Sequence, residues 1–151
     1  MGDLSSAAYR EAGYAVVAAS YKIRIAEIWI NEDGSGGATP LLSHSHLEPI
    51  DRFAVLFGGA AAQAHFDTWP EDPMGGPTYS QIIDSLLPMT EAERFFLVNT
   101  GKERATKIVV TNRLEVKRLA NYLIERRSIH MDEFDPPLRI RDAVSPESNE
   151  R

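Results

Sequence analysis

The chain has no cysteine, so it cannot form a disulfide scaffold, a thiolate metal site or a catalytic thiol. It also lacks an apolar stretch approaching the ~20 residues that a membrane-spanning helix needs. Its N-terminus has no basic region followed by an apolar core. We therefore expect a cytoplasmic protein that does not associate with a membrane.

Positive charge is scarce as well. The formal net charge of −6 argues against nucleic acid and anionic membrane surfaces as partners, because both require a clustered positive patch. Basic residues do cluster between Arg113 and Arg127, but Glu115 and Glu125 lie among them. We interpret this segment as a solvated helix face.

Several catalytic signatures are missing. The chain has no Gly-x-Ser-x-Gly elbow, no dinucleotide-binding fingerprint and no Gly-x-x-x-x-Gly-Lys-Ser/Thr phosphate loop. Its Gly34-Ser35-Gly36-Gly37 run lies at the tip of a predicted hairpin and not between a strand and a helix.

What is present predicts one mainly α-helical domain with a small β-hairpin (α+β class) over residues 1–134, followed by a mobile tail over 135–151. A chain of 151 residues with 43% hydrophobic composition is long enough for one core and too short for two domains. Helices are predicted from apolar i, i+3, i+4 spacing, strands from β-branched and aromatic residues, and turns from glycine clusters. The predicted elements are a helix capped by Ser5 or Ser6 and continuing through Ala19, a strand over Ile23–Asn31, a turn over Asp33–Gly37, a return strand over Ala38–Ser45, a helix from Leu47 with an apolar Phe53–Ala64 segment, a loop over Trp69–Pro77, a short helix over Tyr79–Leu87, and a long helical region from the capping box Thr90-x-x-Glu93 to Leu123 with a break or bend at Gly101.

The first predicted helix carries a sequence motif that resembles a zinc-binding motif. Residues 10–17 read R-E-A-G-Y-A-V-V. In the zinc-protease pattern H-E-x-x-H, two histidines at i and i+4 hold Zn²⁺ on one helix face, and the glutamate acts as general base. Arg10 and Tyr14 stand where that pattern needs the histidines, so only the base position, Glu11, is kept. An arginine has no lone pair for a metal, and a phenol is a poor ligand near neutrality.

A second segment follows in order, because residues 51–62 read D-R-F-A-V-L-F-G-G-A-A-A. Together with the hairpin between them, the two segments resemble the peptidase domain of the FtsH-type ATP-dependent zinc proteases, especially its small stand-alone bacterial relatives. That family has a helix bearing HEAGHAVV, a hairpin with glycines at its tip, and a helix resembling D-R-I-A-V-L-x-G-G-x-A-A. The resemblance covers Tyr9 to Ala62 and fades after Leu87.

The resemblance implies a metallopeptidase-like helical fold and assigns roles to single positions. The two histidine ligands fall on Arg10 and Tyr14, and the catalytic glutamate falls on Glu11. The third ligand, an aspartate, falls near Thr78, with Ser80 as an alternative. The nearest carboxylate, Asp84, lies more than one helical turn beyond. The resemblance therefore implies that all three zinc ligands are lost, that Glu11 is vestigial, and that no cofactor is bound.

Each of these residues also has a plain structural interpretation. Without a metal, Glu11 is an ion-pair partner and not a base. Arg10 either places its guanidinium near the vacated metal position or is an exposed helix arginine. Tyr14 suits a half-buried cleft wall, and we interpret its main role as packing.

Histidines supply the alternative hypothesis. His44 and His46 form an i, i+2 pair on one face of the return strand, and His44, His46 or an acidic residue could replace the lost ligands around Glu11. In that case the chain would be an active zinc-dependent metallopeptidase. We interpret His65 as a helix-end histidine near the C-terminal dipole. His130 is expected to lie in a connection between two helices.

The first hypothesis for function is a non-catalytic zinc-peptidase-like protein that acts as a binding or assembly module. Its partner would be a protein or peptide that the sequence does not name. A homo-oligomer is also compatible, with self-association through the apolar helix Phe53–Ala64.

Overall fold

The computed structural model describes residues 2–41, 47–68 and 88–141. Within these ranges the chain is mainly α-helical, with a three-stranded antiparallel sheet in the order β2-β1-β3. The α+β class predicted from the sequence is confirmed. The elements are α1 (Gly2–Ser20), β1 (Ile25–Ile30), β2 (Gly36–Pro40), α2 (Pro49–His65), α3 (Glu91–Thr111), α4 (Arg113–Arg126), β3 (Ser128–His130) and a 3-10 turn (Met131–Glu133).

The predicted hairpin is present and gains a third strand. β1 pairs with β2 from Ile25↔Pro40 to Ile30↔Gly36, with an irregularity between Ile25 and Glu27. β3 pairs on the opposite side of β1, where Ile28 faces Ile129. The expectation that His130 lies in a connection between helices was wrong, because His130 ends β3. A strand of three residues is too short to show an alternating pattern.

Helix α1 lies at the centre of the fold and packs against α2, α4 and β1. The expected cap at Ser5 or Ser6 was wrong, since α1 begins at Gly2. Ser6 is 1% exposed, and its hydroxyl accepts a hydrogen bond of 2.9 Å from Nε2 of the buried Gln63 on α2. Its polar group therefore joins two helices.

The predicted close approach to the small residues of α2 is confirmed. A Cβ atom on Gly13 would lie 2.5 Å from the Ala62 Cβ, and one on Gly58 would lie 2.9 Å from the Gly13 carbonyl oxygen. The large apolar residue of α2, Phe53, is 1% exposed. Because α1 and α3 cover this face of α2 within one chain, the self-association expected through Phe53–Ala64 lacks a free apolar face there.

The long helical region divides at a different residue from the one expected. Thr90 and Glu93 form the predicted capping box at the start of α3. Gly101 does not break the helix, because it lies buried inside α3. A Cβ there would lie 2.8 Å from the Phe53 Cβ, so this glycine allows close contact with α2. The two helices meet at Asn112 instead.

Part of the expected mobile tail contacts the domain. Leu138 and Ile140 pack against the core, and the Pro137 carbonyl accepts a hydrogen bond from Arg118. Residues 142–151 lie outside the described residues, as do the predicted loop over 69–77 and the predicted helix over 79–87. No helix of the described ranges is long and apolar enough to cross a membrane.

Candidate functional site

The site predicted on α1 centres on a buried ion pair. Arg10 is 5% exposed and Glu11 is 7% exposed. The Arg10 Nε donates to Glu11 Oε2 at 2.9 Å, and its Nη2 donates to the carbonyl oxygen of Gly34 at 3.1 Å. Gly34 lies in the turn between β1 and β2, so Arg10 links α1 to the hairpin. The interpretation of Arg10 as an exposed helix arginine was wrong, and Glu11 has the ion-pair partner that the sequence suggested.

Gly59 provides space for the Arg10 side chain, and Gly36 lies next to its guanidinium. A Cβ on Gly59 of α2 would lie 2.8 Å from the Arg10 Cγ and 2.9 Å from the Arg10 carbonyl oxygen. A Cβ on Gly36 of β2 would lie 3.4 Å from Arg10 Nη2. Residues from both sequence segments that carry the peptidase resemblance, and from the hairpin between them, therefore meet at Arg10.

Burial and the ion pair act in opposite directions on Glu11. Burial raises the pKa of the Glu11 carboxyl, while the charge and the hydrogen bond of Arg10 lower it in part. The net direction is upward. A carboxylate that is removed from water in this way depends on its cationic neighbour to remain charged.

Tyr14 lies one helical turn from Arg10 and is half-buried, with its side chain packed against the core. Burial, followed by the negative charge of Glu11, raises the pKa of its phenol to about 12. The phenol therefore stays neutral near pH 7.

The remaining residues predicted for the site divide into two sets. Among the described residues, no group of three or more His, Asp or Glu side chains could hold a metal ion. The proposed third ligand position and the alternative histidine pair lie outside the described residues; these are His44, His46, Thr78, Ser80 and Asp84. The hypothesis of substitute zinc ligands thus stays a prediction.

The other two histidines have local partners. His65 lies in the last turn of α2, as predicted, with its ring edge-on to Phe66 at a centroid distance of 4.9 Å. His130 Nε2 lies 3.4 Å from Glu27 Oε2 across the β1–β3 pair.

The outer edge of β2 is a second feature of the site. The Ile30 N–H donates to the Arg127 carbonyl on the β3 side of β1, and the Asn31 N–H donates to the Ser35 carbonyl on the β2 side. The backbone groups of successive residues point to opposite sides of an antiparallel strand. Trp29 and its partner Gly37 therefore form a hydrogen-bonded pair between β1 and β2. The N–H and C=O groups of Gly36 and Ala38 then point away from β1, and β2 ends the described sheet on that side.

The sequence motif identifies Arg10 and Glu11 as candidate site residues, but it does not show which residues contact them. The bond from Arg10 to the Gly34 carbonyl joins residues 24 positions apart, and no local pattern shows it. The available signal was the pair of glycines, Gly36 and Gly59, each of which leaves space for a neighbouring group.

Comparison of the chain with protein-family models finds no match, and comparison with curated proteins finds none. The resemblance to the zinc peptidases therefore rests on the residues between Tyr9 and Ala62 alone.

Proposed function

We propose that this chain is a non-catalytic relative of the FtsH-type zinc peptidases that binds an extended peptide along the outer edge of β2, the strand at which the described sheet ends on that side. The observation that carries the proposal is the buried Arg10–Glu11 pair on α1, in which Arg10 also binds the Gly34 carbonyl in the turn that leads into β2. The catalytic part of the proposal and the binding part have separate support.

The loss of catalysis is supported by the chemistry of the two residues. Arg10 stays protonated in proteins and has no lone pair for a metal, so it cannot replace a histidine ligand. Its Nε holds the carboxylate that a peptidase of this type would use as general base. A Glu11 fixed in an ion pair, with 7% of its surface exposed, is poorly placed to take a proton from water.

The family relationship is supported by the contact between the two segments that resemble the peptidase motifs. Gly13 of the first segment packs directly on Gly58 and Ala62 of the second. A chance match of two short segments would not require them to touch.

The binding part is supported by the geometry of β2. Its outward N–H and C=O groups at Gly36 and Ala38 can pair with an added strand, which is a common mode of peptide recognition. Pro40 has no N–H, so pairing would stop there. Main-chain pairing depends little on peptide sequence, so the ligand class that fits is an unstructured polypeptide segment.

The first experiment tests for catalysis. Elemental analysis of the untagged, purified protein is expected to give far less than one zinc per chain, and casein incubated with it is expected to remain intact with or without added zinc. Stoichiometric zinc together with casein cleavage that Glu11→Gln abolishes would overturn the proposal in favour of an active metallopeptidase.

The second experiment tests for binding and uses fluorescein-labelled casein, a disordered chain, in an anisotropy titration. Ala38→Pro removes an outward N–H without removing a β1–β2 bond, so it is expected to weaken binding by about tenfold while the protein stays folded. Ala38→Ser is the matched control, because it changes the same residue but keeps the outward N–H. Equal affinity for the parent and Ala38→Pro, or no binding by the folded parent, would contradict the β2 site.

A further inference from the structure

The face of the sheet that points away from α1 carries a tryptophan beside the outer strand. Gly36 faces α1, since a Cβ there would lie 3.4 Å from Arg10 Nη2. Because successive residues of a strand point to opposite faces, Gly37 and its partner Trp29 lie on the outer face. Strand pairing sets Gly37, Trp29 and Ser128 side by side in one row across the sheet, and Trp29 is the large residue of that row.

The Trp29 indole reaches from β1 onto β2 and lies flat on Gly37. A Cβ on Gly37 would lie 2.5 Å from the Trp29 Cζ2 and 3.0 Å from both ring neighbours of that atom, Cε2 and Cη2. These distances place the Cβ position over the face of the ring, because an approach to the ring edge would leave both neighbours farther away. Trp29 is half-buried, with one ring face on the Gly37 backbone and the other turned away from the sheet.

A strand added to β2 would bring one side chain to this ring. Gly37 directs its backbone groups towards Trp29, so an antiparallel peptide would bond to Gly36 and Ala38 instead. The peptide residue opposite Gly37 would then form a non-hydrogen-bonded pair with it, the kind of pair in which side chains come closest. Because Gly37 has no side chain, that residue of the peptide meets the indole.

The charges on the outer face favour a cation at that position. Glu27 lies two residues before Trp29 on the same face, and its contact with His130 Nε2, at 3.4 Å, lies on the β3 side, away from β2. Arg127, which precedes β3, is bound to Glu32 at 2.9 Å, so its charge is offset. Tryptophan is the aromatic residue that attracts cations most strongly, and the net charge of −6 favours basic segments in general.

We propose that Trp29 determines the specificity of the β2 site, and that the bound segment carries an arginine or lysine opposite Gly37. The basic side chain lies over the indole and is directed towards the Glu27 carboxylate. This inference rests on the proposed peptide site and adds the side-chain class that the site prefers. Main-chain pairing supplies binding to many sequences, and the Trp29 ring supplies the preference among them.

Fluorescence anisotropy with three labelled peptides tests this preference on the full chain. The peptides share a short host of alternating serine and threonine and differ only in the central residue, which is arginine, citrulline or phenylalanine. Citrulline has the shape of arginine without its charge. The arginine peptide is expected to bind about threefold to tenfold more tightly than the citrulline peptide, as one cation–π contact at a partly exposed ring would give. The phenylalanine peptide should also bind more weakly than the arginine peptide.

Trp29→Leu separates a role in specificity from a structural role. Leucine keeps apolar cover over Gly37 but has no π face, so the preference for arginine over citrulline should disappear while the citrulline peptide binds nearly as before. A purely structural effect would weaken both peptides equally. Phe96→Leu is the matched control, because it removes an aromatic ring that is 60% exposed on α3, and it should keep the parent preference.

Glu27→Gln provides a second variant at a partly exposed position of β1, where folding does not depend on the Trp29 ring. It should reduce the preference for arginine over citrulline without changing the affinity for the citrulline peptide. An unchanged preference in Glu27→Gln would overturn the part assigned to that carboxylate.

The outcomes distinguish this inference from the peptide site on which it rests. Equal affinity of the parent for the arginine and citrulline peptides, or tighter binding of the phenylalanine peptide, would overturn the basic preference and leave the β2 site in place. A preference that persists in folded Trp29→Leu would overturn the role of the ring. Absence of binding by all three peptides would also overturn the inference, and the casein titration then decides whether the peptide site itself stands.

Discussion

Arg10 occupies a position where burial of a charge has to be matched by several partners. Its guanidinium is held by the Glu11 carboxylate and the Gly34 carbonyl, and 5% of the residue is exposed. Removing two charges from water costs several kcal/mol for each ion, and the mutual attraction of the pair offsets that cost only while both are present. A variant that keeps only one of the two charges should therefore be less stable than a variant that lacks both.

We predict that Arg10→Met destabilises the protein by about 3 to 5 kcal/mol, because it leaves the Glu11 carboxylate buried and unpaired. The double variant Arg10→Met/Glu11→Leu should lie much closer to the parent, since no uncompensated charge remains. Urea denaturation of the parent, both single variants and the double variant forms a cycle that measures the coupling. Additive single effects would contradict a coupled pair.

The same variant should show a defined dependence on pH. Burial raises the pKa of Glu11 above its ordinary value of 4.5, and Arg10→Met removes the charge that opposes this rise. When the folded pKa exceeds the unfolded one, the stabilisation from protonation is complete below the unfolded pKa and is lost as pH rises through the folded pKa. The deficit of Arg10→Met relative to the parent should thus be smaller at about pH 5 than at about pH 8. A deficit independent of pH would show that Glu11 is not the group left unpaired.

Lys22 adopts an unfavourable backbone conformation at the C-terminal end of α1. After α1, the Lys22 N–H donates to the Ala19 carbonyl and the Ile23 N–H donates to the Ala18 carbonyl, with Lys22 at a φ of 64°. This pattern is the Schellman motif, whose left-handed residue is usually glycine.

We predict that Lys22→Gly stabilises the protein by about 0.5 to 1 kcal/mol, because the steric cost of a Cβ at positive φ exceeds the added chain entropy of glycine in the unfolded state. Thermal and urea unfolding would measure the gain. Lys22→Ala removes the same exposed side chain but keeps the Cβ, so it should bring no comparable gain; equal stabilisation by both variants would place the effect in the side chain.

At the scale of elements, the close contact between α1 and α2 depends on residues with little or no side chain. Gly13, Gly58 and Ala62 let the two backbones approach until a Cβ on Gly58 would lie 2.9 Å from both the Gly13 carbonyl oxygen and the Val17 Cγ2. The neighbours are backbone and a fully buried valine, so neither can move away cheaply.

Gly58→Ala is therefore expected to destabilise the protein by about 1 to 3 kcal/mol, even though alanine is the better helix former. Ala64→Ser, on the exposed side of the same helix, is the matched control and should change stability little. The free energy of unfolding from urea titrations decides the outcome. Stabilisation by Gly58→Ala would mean that propensity outweighs the close contact.

Local patterns predicted those elements that are long and periodic. The capping box at Thr90 and the small-residue face of α2 could both be predicted from the sequence, because each depends on residues only a few positions apart. Gly101 was misread for a physical reason: a glycine inside a helix marks either a bend or a close neighbour, and here the neighbour is Phe53, 48 positions away in the chain. The contacts that fix Arg10 and β3 are likewise non-local.

At the scale of the whole molecule, the C-terminal segment returns to the junction of α3 and α4. Arg118 donates to the Pro137 carbonyl, and the Arg139 N–H donates to Glu115 Oε2. The guanidinium of Arg118 also lies over the Phe134 ring at 4.1 Å. Residues 135–141 thus cover one side of α4, although their prolines and polar residues suggested a mobile tail.

Asn112 connects this segment to the helix junction. It is 3% exposed, its Nδ2 donates to the Ile108 carbonyl at 2.9 Å and to the Arg141 carbonyl at 2.8 Å, and its Oδ1 accepts from the Arg141 N–H at 2.6 Å. One buried side chain therefore provides hydrogen-bond partners for a carbonyl in the last turn of α3 and for both backbone groups of Arg141.

We predict that Asn112→Ala costs about 1 to 3 kcal/mol, because it leaves these backbone groups without their partner. Since two of the three bonds hold Arg141, the variant should also release the C-terminal segment, and trypsin should cleave after Arg139 and Arg141 faster than in the parent while the helical domain is still folded. Asn121→Ala, at an exposed position on α4, is the matched control and should leave both the stability and the cleavage rate unchanged. A loss of stability without faster cleavage would place the whole effect at the α3–α4 junction, and equal cleavage of the two variants would show that Asn112 does not hold the segment.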